Sequence, residues 1–179
     1  MVTGPEQRRR VFLIGFMGAG KTTVGKVLAK RLGWSFYDLD QLIESREQRS
    51  IATIFAEAGE SGFRKIEKAA LAELLEQRLE GNGSVVALGG GAFVQPENRE
   101  ALQRAGAVTI LLSAPVEELK RRCEGAPDVR PLARDKNGFE QLFLSRREAY
   151  SHTRFRVETA GKQIHQVAEE IEKLLEKSS

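Results

Sequence analysis

Short apolar runs alternate with longer segments along this chain, and the two kinds of segment have different periods. In the longer segments, apolar residues recur at the spacing of an amphipathic helix. The short runs are rich in β-branched and aromatic residues, which is typical of buried strands. The strands predicted in this way are residues 11–14, 35–37, 85–88, 108–112 and 154–158. The clearest helix is the last one, whose apolar stripe consists of Ile164, Val167, Ala168, Ile171, Leu174 and Leu175.

Strands that alternate with helices indicate a parallel sheet, because parallel neighbours need a crossover connection and a helix supplies it. We therefore predict an α/β fold with five parallel strands and helices on both faces. The chain has 179 residues, of which 41% are hydrophobic and 30% charged. This is the composition of one globular domain and excludes intrinsic disorder. No fixed repeat or linker interrupts the chain, so residues 1–179 are predicted to form a single domain.

Charge and cysteine content limit the possible partners. The chain has 28 basic and 25 acidic residues, a net charge of +3, which is too small an excess to indicate a nucleic-acid binder. The single cysteine, Cys123, can form neither an internal disulfide nor a multi-cysteine metal site, which is typical of a cytoplasmic protein. No apolar run approaches the length of a membrane span, so we expect no membrane association.

Residues 15–22, GFMGAGKT, match the phosphate-binding pattern G-x-x-x-x-G-K-[ST]. The pattern follows a predicted strand and precedes a helix predicted to begin at Thr23, which is the context that it requires. Glycines let backbone N–H groups turn towards the phosphates, and the helix N-terminus adds positive charge. Lys21 would reach the β- and γ-phosphates, and the Thr22 hydroxyl would hold Mg²⁺. The residues predicted to bind ATP here are Gly18, Ala19, Gly20, Lys21, Thr22 and Thr23.

A phosphate loop does not identify the phosphate acceptor, because kinases, motor ATPases and GTPases all use one. The base-reading Asn-Lys-x-Asp segment of GTPases is absent from the sequence. Asp38 and Asp40 leave the end of the second predicted strand, beside the phosphate loop. Asp38 is suited to bind magnesium through water, and Asp40 to orient an acceptor hydroxyl and take its proton. Alternatively, Asp40 simply caps a helix over residues 41–47.

Two further segments have both a functional and a plain structural interpretation. Arg64 has Glu60 four residues before it and Glu67 three after it, and this spacing by itself favours a surface ion pair over a carboxylate-binding fork. The run of three glycines at 89–91 indicates close access to the backbone or a plain turn. Residues 124–138 mix glycine, proline and charge without periodicity, and we predict that they form a lid.

Taken together, these segments resemble the shikimate kinase family over nearly the whole chain. The motifs are GFMGAGKT at 15–22, FYDLD at 36–40, GESGFRKIE at 59–67, GGG at 89–91 and RPL at 130–132. The resemblance implies a fold of the nucleoside-monophosphate-kinase type, with a lid and a substrate-binding helical region. It also implies transfer of the γ-phosphoryl group of ATP to the 3-hydroxyl of shikimate, with Mg²⁺.

The resemblance also implies a role for individual residues. Lys21, Asp40 and Arg130 would act in catalysis, Arg130 as the lid arginine that closes over ATP. Arg122 would lie against adenine, and Glu67 would brace Arg64. The magnesium site would consist of Thr22 and Asp38. The shikimate site would consist of Asp40, Arg64, Gly90 and Arg146, with the two arginines binding the carboxylate.

The sequence departs from the family pattern in one informative place. Glu148 stands where the family often has proline, which leaves the carboxylate-binding arginine to be chosen between Arg146 and Arg147. We choose Arg146 because it lies four residues before Tyr150. The loop after Thr159 also lacks a proline often found there.

Two other functions compete with this expectation. A kinase of another small hydroxy acid, such as gluconate, would share the fold and the phosphate loop. A regulatory or scaffold domain could keep the loop without transferring phosphate. We expect a monomer, since the sequence shows no apolar surface stripe.

Overall fold

The computed structural model describes residues 9–77, 82–124 and 136–177. The strands are β1 (Arg9–Ile14), β2 (Ser35–Asp38), β3 (Gly83–Ala87), β4 (Val108–Ser113) and β5 (Phe155–Glu158). The helices are α1 (Lys21–Leu32), α2 (Leu39–Glu47), α3 (Ile51–Glu76), α4 (Pro96–Arg104), α5 (Val116–Glu124), α6 (Lys136–Tyr150) and α7 (Ile164–Lys177), with a 3₁₀ turn at Ala92–Val94.

The five strands form one parallel sheet in the order β2-β3-β1-β4-β5. Phe12 of β1 is paired with Val86 of β3 on one side and with Thr109 of β4 on the other. The predicted five-stranded α/β fold is therefore confirmed. The bounds of all five strands differ by one or two residues from those predicted; β1, for example, begins at Arg9, and β3 covers Gly83–Ala87.

The core is built around the central strand. Residues 11–14 of β1 are essentially inaccessible to solvent, as expected for a strand covered by helices on both faces. Helix α1 packs against α7. The predicted stripe on α7 is buried at Val167, Ala168 and Ile171, but Ile164 is 44% exposed because it is the first residue of the helix.

The carboxyl ends of β1, β2 and β3 lead into the segments that the sequence singled out. Residues 15–22 follow β1, Asp38 and Asp40 stand where β2 meets α2, and residues 89–91 follow β3. In an open parallel sheet, ligands bind at this edge. Helix α3 passes nearby and is kinked at Gly59, whose φ of 66° and ψ of −176° lie outside the helical region.

Much of the predicted lid lies outside the described residues. Glu124 is the last residue of α5, and residues 136–138 belong to the first turn of α6. Residues 125–135, which include Arg130, are not among those described. Within the described part of the chain, no helix is long and apolar enough to cross a membrane.

Candidate active site

The phosphate loop is closed by glycines in the left-handed region and by its own lysine. Gly18 and Gly20 have φ values of 78° and 89°, which side-chain-bearing residues rarely adopt. Lys21 Nζ donates to the carbonyl oxygens of Gly15 at 2.9 Å and Phe16 at 3.2 Å, so its charge lies over the loop. Helix α1 begins at Lys21, two residues earlier than predicted, because Gly20 already stands at the N-cap.

The remaining loop residues are placed differently from one another. The Ala19 amide donates to Phe16 O at 3.1 Å, within the loop itself. Thr23 is exposed on the first turn of α1. A side chain at Gly18 would bring its Cβ to 2.6 Å from the carbonyl oxygen of Leu119, so the loop backbone lies directly against α5.

Thr22 and Asp38 meet beside the loop. Thr22 Oγ1 donates to Asp38 Oδ2 at 2.7 Å, and the backbone N–H of Asp40 donates to Asp38 Oδ1 at 3.1 Å. Asp38 is thus the N-cap of α2, and the alternative that Asp40 caps this helix is wrong. The reason is that α2 begins at Leu39, which places Asp40 inside its first turn.

Arg64 is held by a carboxylate that is inaccessible to solvent. Its Nη1 donates to Glu67 Oε2 at 2.7 Å, and its Nη2 donates to Glu60 Oε1 at 3.3 Å. The Glu67 side chain is 0% exposed and that of Arg64 only 14%. The spacing favoured a surface ion pair, and for Glu67 this prediction is wrong. The second half of α3 turns the face that carries Arg64 and Glu67 towards the glycine run.

Two of the three consecutive glycines lie directly against these charged groups. A Cβ built at Gly89 would lie 2.9 Å from Asp40 Oδ1 and 3.1 Å from Glu67 Oε1. At Gly91 it would lie 2.3 Å from Arg64 Nη2, closer than real Cβ atoms approach other heavy atoms. The segment does form a turn, since Ala92 N donates to Gly89 O at 3.0 Å. Because these positions lack side chains, the charged groups of Asp40, Glu67 and Arg64 also lie close to the backbone of the turn, as the three glycines indicated.

A second arginine, Arg146, lies against the middle glycine, Gly90. A Cβ at Gly90 would lie 2.7 Å from Arg146 Nη1. Arg146 is only 6% exposed, and its guanidinium lies 5.4 Å from the centre of the Phe16 ring. Tyr150, one turn further along α6, donates its hydroxyl to Gly90 O at 2.7 Å. The structure thus places Arg146 against Gly90, whereas Arg147 is exposed.

Arg122 connects the phosphate loop with the loop that follows β5. Its Nη1 donates to Gly18 O at 3.2 Å and to Thr159 Oγ1 at 3.1 Å, while its Nη2 donates to Thr159 O at 3.2 Å. Its Nε donates to Glu118 Oε1 at 3.1 Å. A hydrogen bond from Arg121 lowers the pKa of the Glu118 carboxyl, so Glu118 stays charged and can hold Arg122.

Cys123 lies under the phosphate loop. A Cβ at Gly18 would be 3.1 Å from its sulfur. Burial raises the pKa of the Cys123 thiol, and the positive charge of Lys21 opposes this shift only in part. The thiol is therefore protonated near neutral pH and acts as a small apolar group.

The chain is similar over most of its length to proteins of one family. A family model described as shikimate kinase matches residues 17–176. The chain belongs to the shikimate kinase family. It is 41% identical to the shikimate kinase of Persephonella marina, over 91% of this chain and 96% of that protein. Identity to the Geobacter sulfurreducens shikimate kinase is 44%, with coverages of 93% and 91%. The structure of Acinetobacter baumannii shikimate kinase in complex with shikimate superimposes with a TM-score of 0.86 at 34% identity, covering 96% of this chain and 94% of that one.

Two contacts in this shikimate kinase family member were not predicted from its sequence: the bond from Tyr150 to Gly90 and the pair of Glu118 with Arg122. Tyr150 served only to place Arg146, and its bond to Gly90 depends on how α6 crosses the glycine run. Glu118 lies four residues before Arg122 on α5, a spacing that could have indicated the pair.

Proposed function

We propose that this protein transfers the γ-phosphoryl group of ATP to the 3-hydroxyl of shikimate, forming shikimate 3-phosphate in aromatic amino-acid biosynthesis. The observation that carries the proposal is the pair of arginines, Arg64 and Arg146, on one glycine run beside Asp40. Among the described residues no carboxylate pairs with Arg146, although it is 6% exposed. A buried charge of this kind calls for an opposite charge, which the shikimate carboxylate would supply. Relatives named shikimate kinase support the assignment.

On the acceptor side, positioning is the main contribution. Arg64, oriented by Glu67, and Arg146 would bind the carboxylate with planar forks, which fixes the ring of the acceptor. The Nε of Arg64 is buried and lacks an acceptor within the described residues, so it too can bind a ligand oxygen. Gly90 would let the acceptor approach the backbone. Asp40 would orient the attacking hydroxyl and accept its proton.

On the phosphate side, backbone amides and cations would bind ATP. The loop around Gly18 and Gly20 would surround the phosphates at the N-terminus of α1. Lys21 would leave its carbonyl partners to follow the transferred group and stabilise its charge. Arg122 is proposed to lie against adenine. The lid at 124–138 and its Arg130 stay predictions, since residues 125–135 lie outside the described ranges.

Thr22 and Asp38 are the proposed magnesium site. Their oxygens lie 2.7 Å apart beside the phosphate loop, and Mg²⁺ takes one or two protein oxygens together with waters and phosphate oxygens. The donor set therefore fits this ion. Bound there, Mg²⁺ would neutralise phosphate charge.

We also propose that residues 1–179 act as one domain, as a monomer and in the cytoplasm. Among the described residues, the large apolar side chains that are exposed are Leu144 and Ile164, which lie on different helices. The single cysteine of the sequence makes no internal disulfide, as is typical of a reducing compartment.

The proposal is tested by ADP formation from Mg-ATP with and without shikimate. We expect shikimate to stimulate turnover, and Asp40→Asn to abolish the stimulation while ATP still binds. Arg64→Ala should raise the KM for shikimate and leave the KM for ATP unchanged. Arg104→Ala, at the exposed end of α4, is the matched control.

Two outcomes would overturn the proposal. Turnover with gluconate but not with shikimate would indicate a kinase of another hydroxy acid. ATP binding without turnover on any acceptor would indicate a regulatory or scaffold domain.

A further inference from the structure

A cleft of about 630 Å³ lies beside strands β4 and β5 and adjoins the proposed active site at Phe16 and Tyr150. It is lined by the carboxyl end of β4, the start of α5, the end of α6 and most of β5. None of the described residues proposed to bind ATP, magnesium or shikimate is part of its lining. The cleft therefore calls for its own explanation.

The floor of the cleft is apolar and largely buried. Leu112, Leu119 and Phe16 form its base and are at most 2% exposed, and the half-buried side chains of Phe143 and Phe155 provide the apolar surface that a ligand can reach. Such a floor suits a flat hydrocarbon or aromatic body, as in most small-molecule sites.

The rim of the cleft is cationic. Arg147, Arg154 and Arg156 line it and are exposed, and Glu158 is the one carboxylate among the described lining residues. Arg156 is already engaged, since its Nε donates to Ser113 Oγ at 3.0 Å and its Nη2 lies 3.7 Å from Glu158 Oε2. The lining thus carries an excess of positive charge.

The other two arginines are not engaged in the same way. The structure gives the Arg147 side chain no hydrogen bond or ion pair within the described ranges. The guanidinium of Arg154 lies 5.3 Å from the centre of the Phe155 ring, and no described carboxylate pairs with it. Two planar donor groups therefore border an apolar floor, an arrangement that recognises a carboxylate on an apolar body.

The hydroxyl groups of the cleft do not compete for this role. Tyr150 donates to Gly90 O, Ser151 to Glu148 O, Thr153 to Tyr150 O and Ser113 to Glu158 Oε2. Among the described side chains of the lining, the donors left to recognise a ligand are the guanidinium groups of Arg147 and Arg154.

We propose that this cleft binds a small organic carboxylate with an aromatic or similarly flat apolar body. The carboxylate pairs with Arg147 and Arg154, and the ring lies against the half-buried side chains of Phe143 and Phe155. The two sites adjoin at Phe16 and Tyr150 but use different arginines, so both can be occupied at once.

The test is a calorimetric titration with 1-naphthoate in the presence of saturating shikimate, which blocks Arg64 and Arg146. Wild-type protein is expected to bind 1-naphthoate, and to bind the uncharged 1-naphthylmethanol at least about tenfold more weakly, since it lacks the charge-assisted bonds. The double variant Arg147→Gln/Arg154→Gln is expected to lose about tenfold or more in affinity for 1-naphthoate.

The matched control is Arg9→Gln/Arg104→Gln, which removes two exposed arginines away from the cleft. It is expected to bind 1-naphthoate like wild-type protein. All four arginines are exposed, so thermal melts should show folded protein in both variants.

Three results would overturn the proposal: no binding of 1-naphthoate to wild-type protein, complete displacement of 1-naphthoate by shikimate, or equal affinities of the two double variants for 1-naphthoate. None of these readouts depends on turnover, so failure here is distinguishable from failure of the proposed kinase activity.

Discussion

The phosphate side and the acceptor side of this molecule are built in opposite ways. The phosphate side is one contiguous segment, residues 15–22, whose backbone follows β1 and enters α1. The acceptor side is assembled from charged side chains on α2, α3 and α6 around the glycine run that follows β3. One region therefore depends on local backbone conformation, and the other on how distant elements pack.

This difference predicts a division of effects. A change on the phosphate side should lower turnover and leave shikimate affinity intact. A change around the glycine run should raise the KM for shikimate and spare ATP. Four substitutions, in and outside the two regions, test this division.

The largest effect is expected for Lys21→Met. The variant loses the cation that would stabilise the transferred phosphoryl group, and kcat should fall roughly a thousandfold. Steady-state ADP formation measures kcat, and calorimetry measures shikimate affinity. Lys26→Met, an exposed lysine on the same helix, is the control. A parallel loss of shikimate affinity in Lys21→Met would show that the two regions are not independent.

Gly91→Ala should have the next largest effect. Its Cβ would lie 2.3 Å from Arg64 Nη2 and would displace the guanidinium. Hydrogen bonds to charged groups contribute about 1.5–3 kcal/mol, so the KM for shikimate should rise about 10- to 100-fold. In an Arg64→Ala background the same substitution should add little. A full additional loss in the double variant would show that Gly91 acts by another route.

A smaller effect is expected for Tyr150→Phe. The variant loses the 2.7 Å hydrogen bond to Gly90 O and keeps the ring. A neutral hydrogen bond contributes about 0.5–1.5 kcal/mol, so the KM for shikimate should rise about two- to tenfold while the KM for ATP is unchanged. Tyr37→Phe, which removes a hydroxyl from β2, is the control and should leave both constants unchanged. A drop in kcat alone would argue against a positioning role.

The smallest effect is expected for Arg31→Gln, which lies outside both regions. Arg31 pairs with Glu172 at 2.6 Å, but the two side chains are 39% and 24% exposed. Exposed pairs contribute less than about 1 kcal/mol, so the Tm should fall by no more than about 4 °C. Differential scanning calorimetry measures this shift, and both KM values should stay at wild-type levels. A larger fall in Tm would mean that the contact between α1 and α7 depends on this pair.

Sequence reasoning succeeded where the signal was local. The parallel sheet follows from alternating periods, and the phosphate loop from eight adjacent residues. It failed where the outcome depended on an element boundary or on packing. Asp40 was a candidate cap because α2 was expected to begin after it, whereas the helix begins at Leu39. The burial of Glu67 could not be predicted from the spacing of charges along α3.

The acceptor region shows a third case. Gly90 and Arg146 were named together only through resemblance to a known family, because they lie far apart along the chain. The bond from Tyr150 to Gly90 was not predicted at all, since it depends on the path of α6 over the glycine turn. Contacts between distant elements are set by the sheet order and by the crossing of helices, which local patterns do not contain.

The close approach of Gly91 to Arg64 also limits how this protein can change over generations. A side chain at position 91 is compatible with the present backbone only if Arg64 moves away or is replaced by a shorter residue. If Arg64 is replaced first, one of the two cations beside the glycine run is lost. If Gly91 is replaced first, the Arg64 guanidinium is displaced. Either order passes through an intermediate with a weakened site, so these two positions can diverge only together or when selection for the acceptor is relaxed.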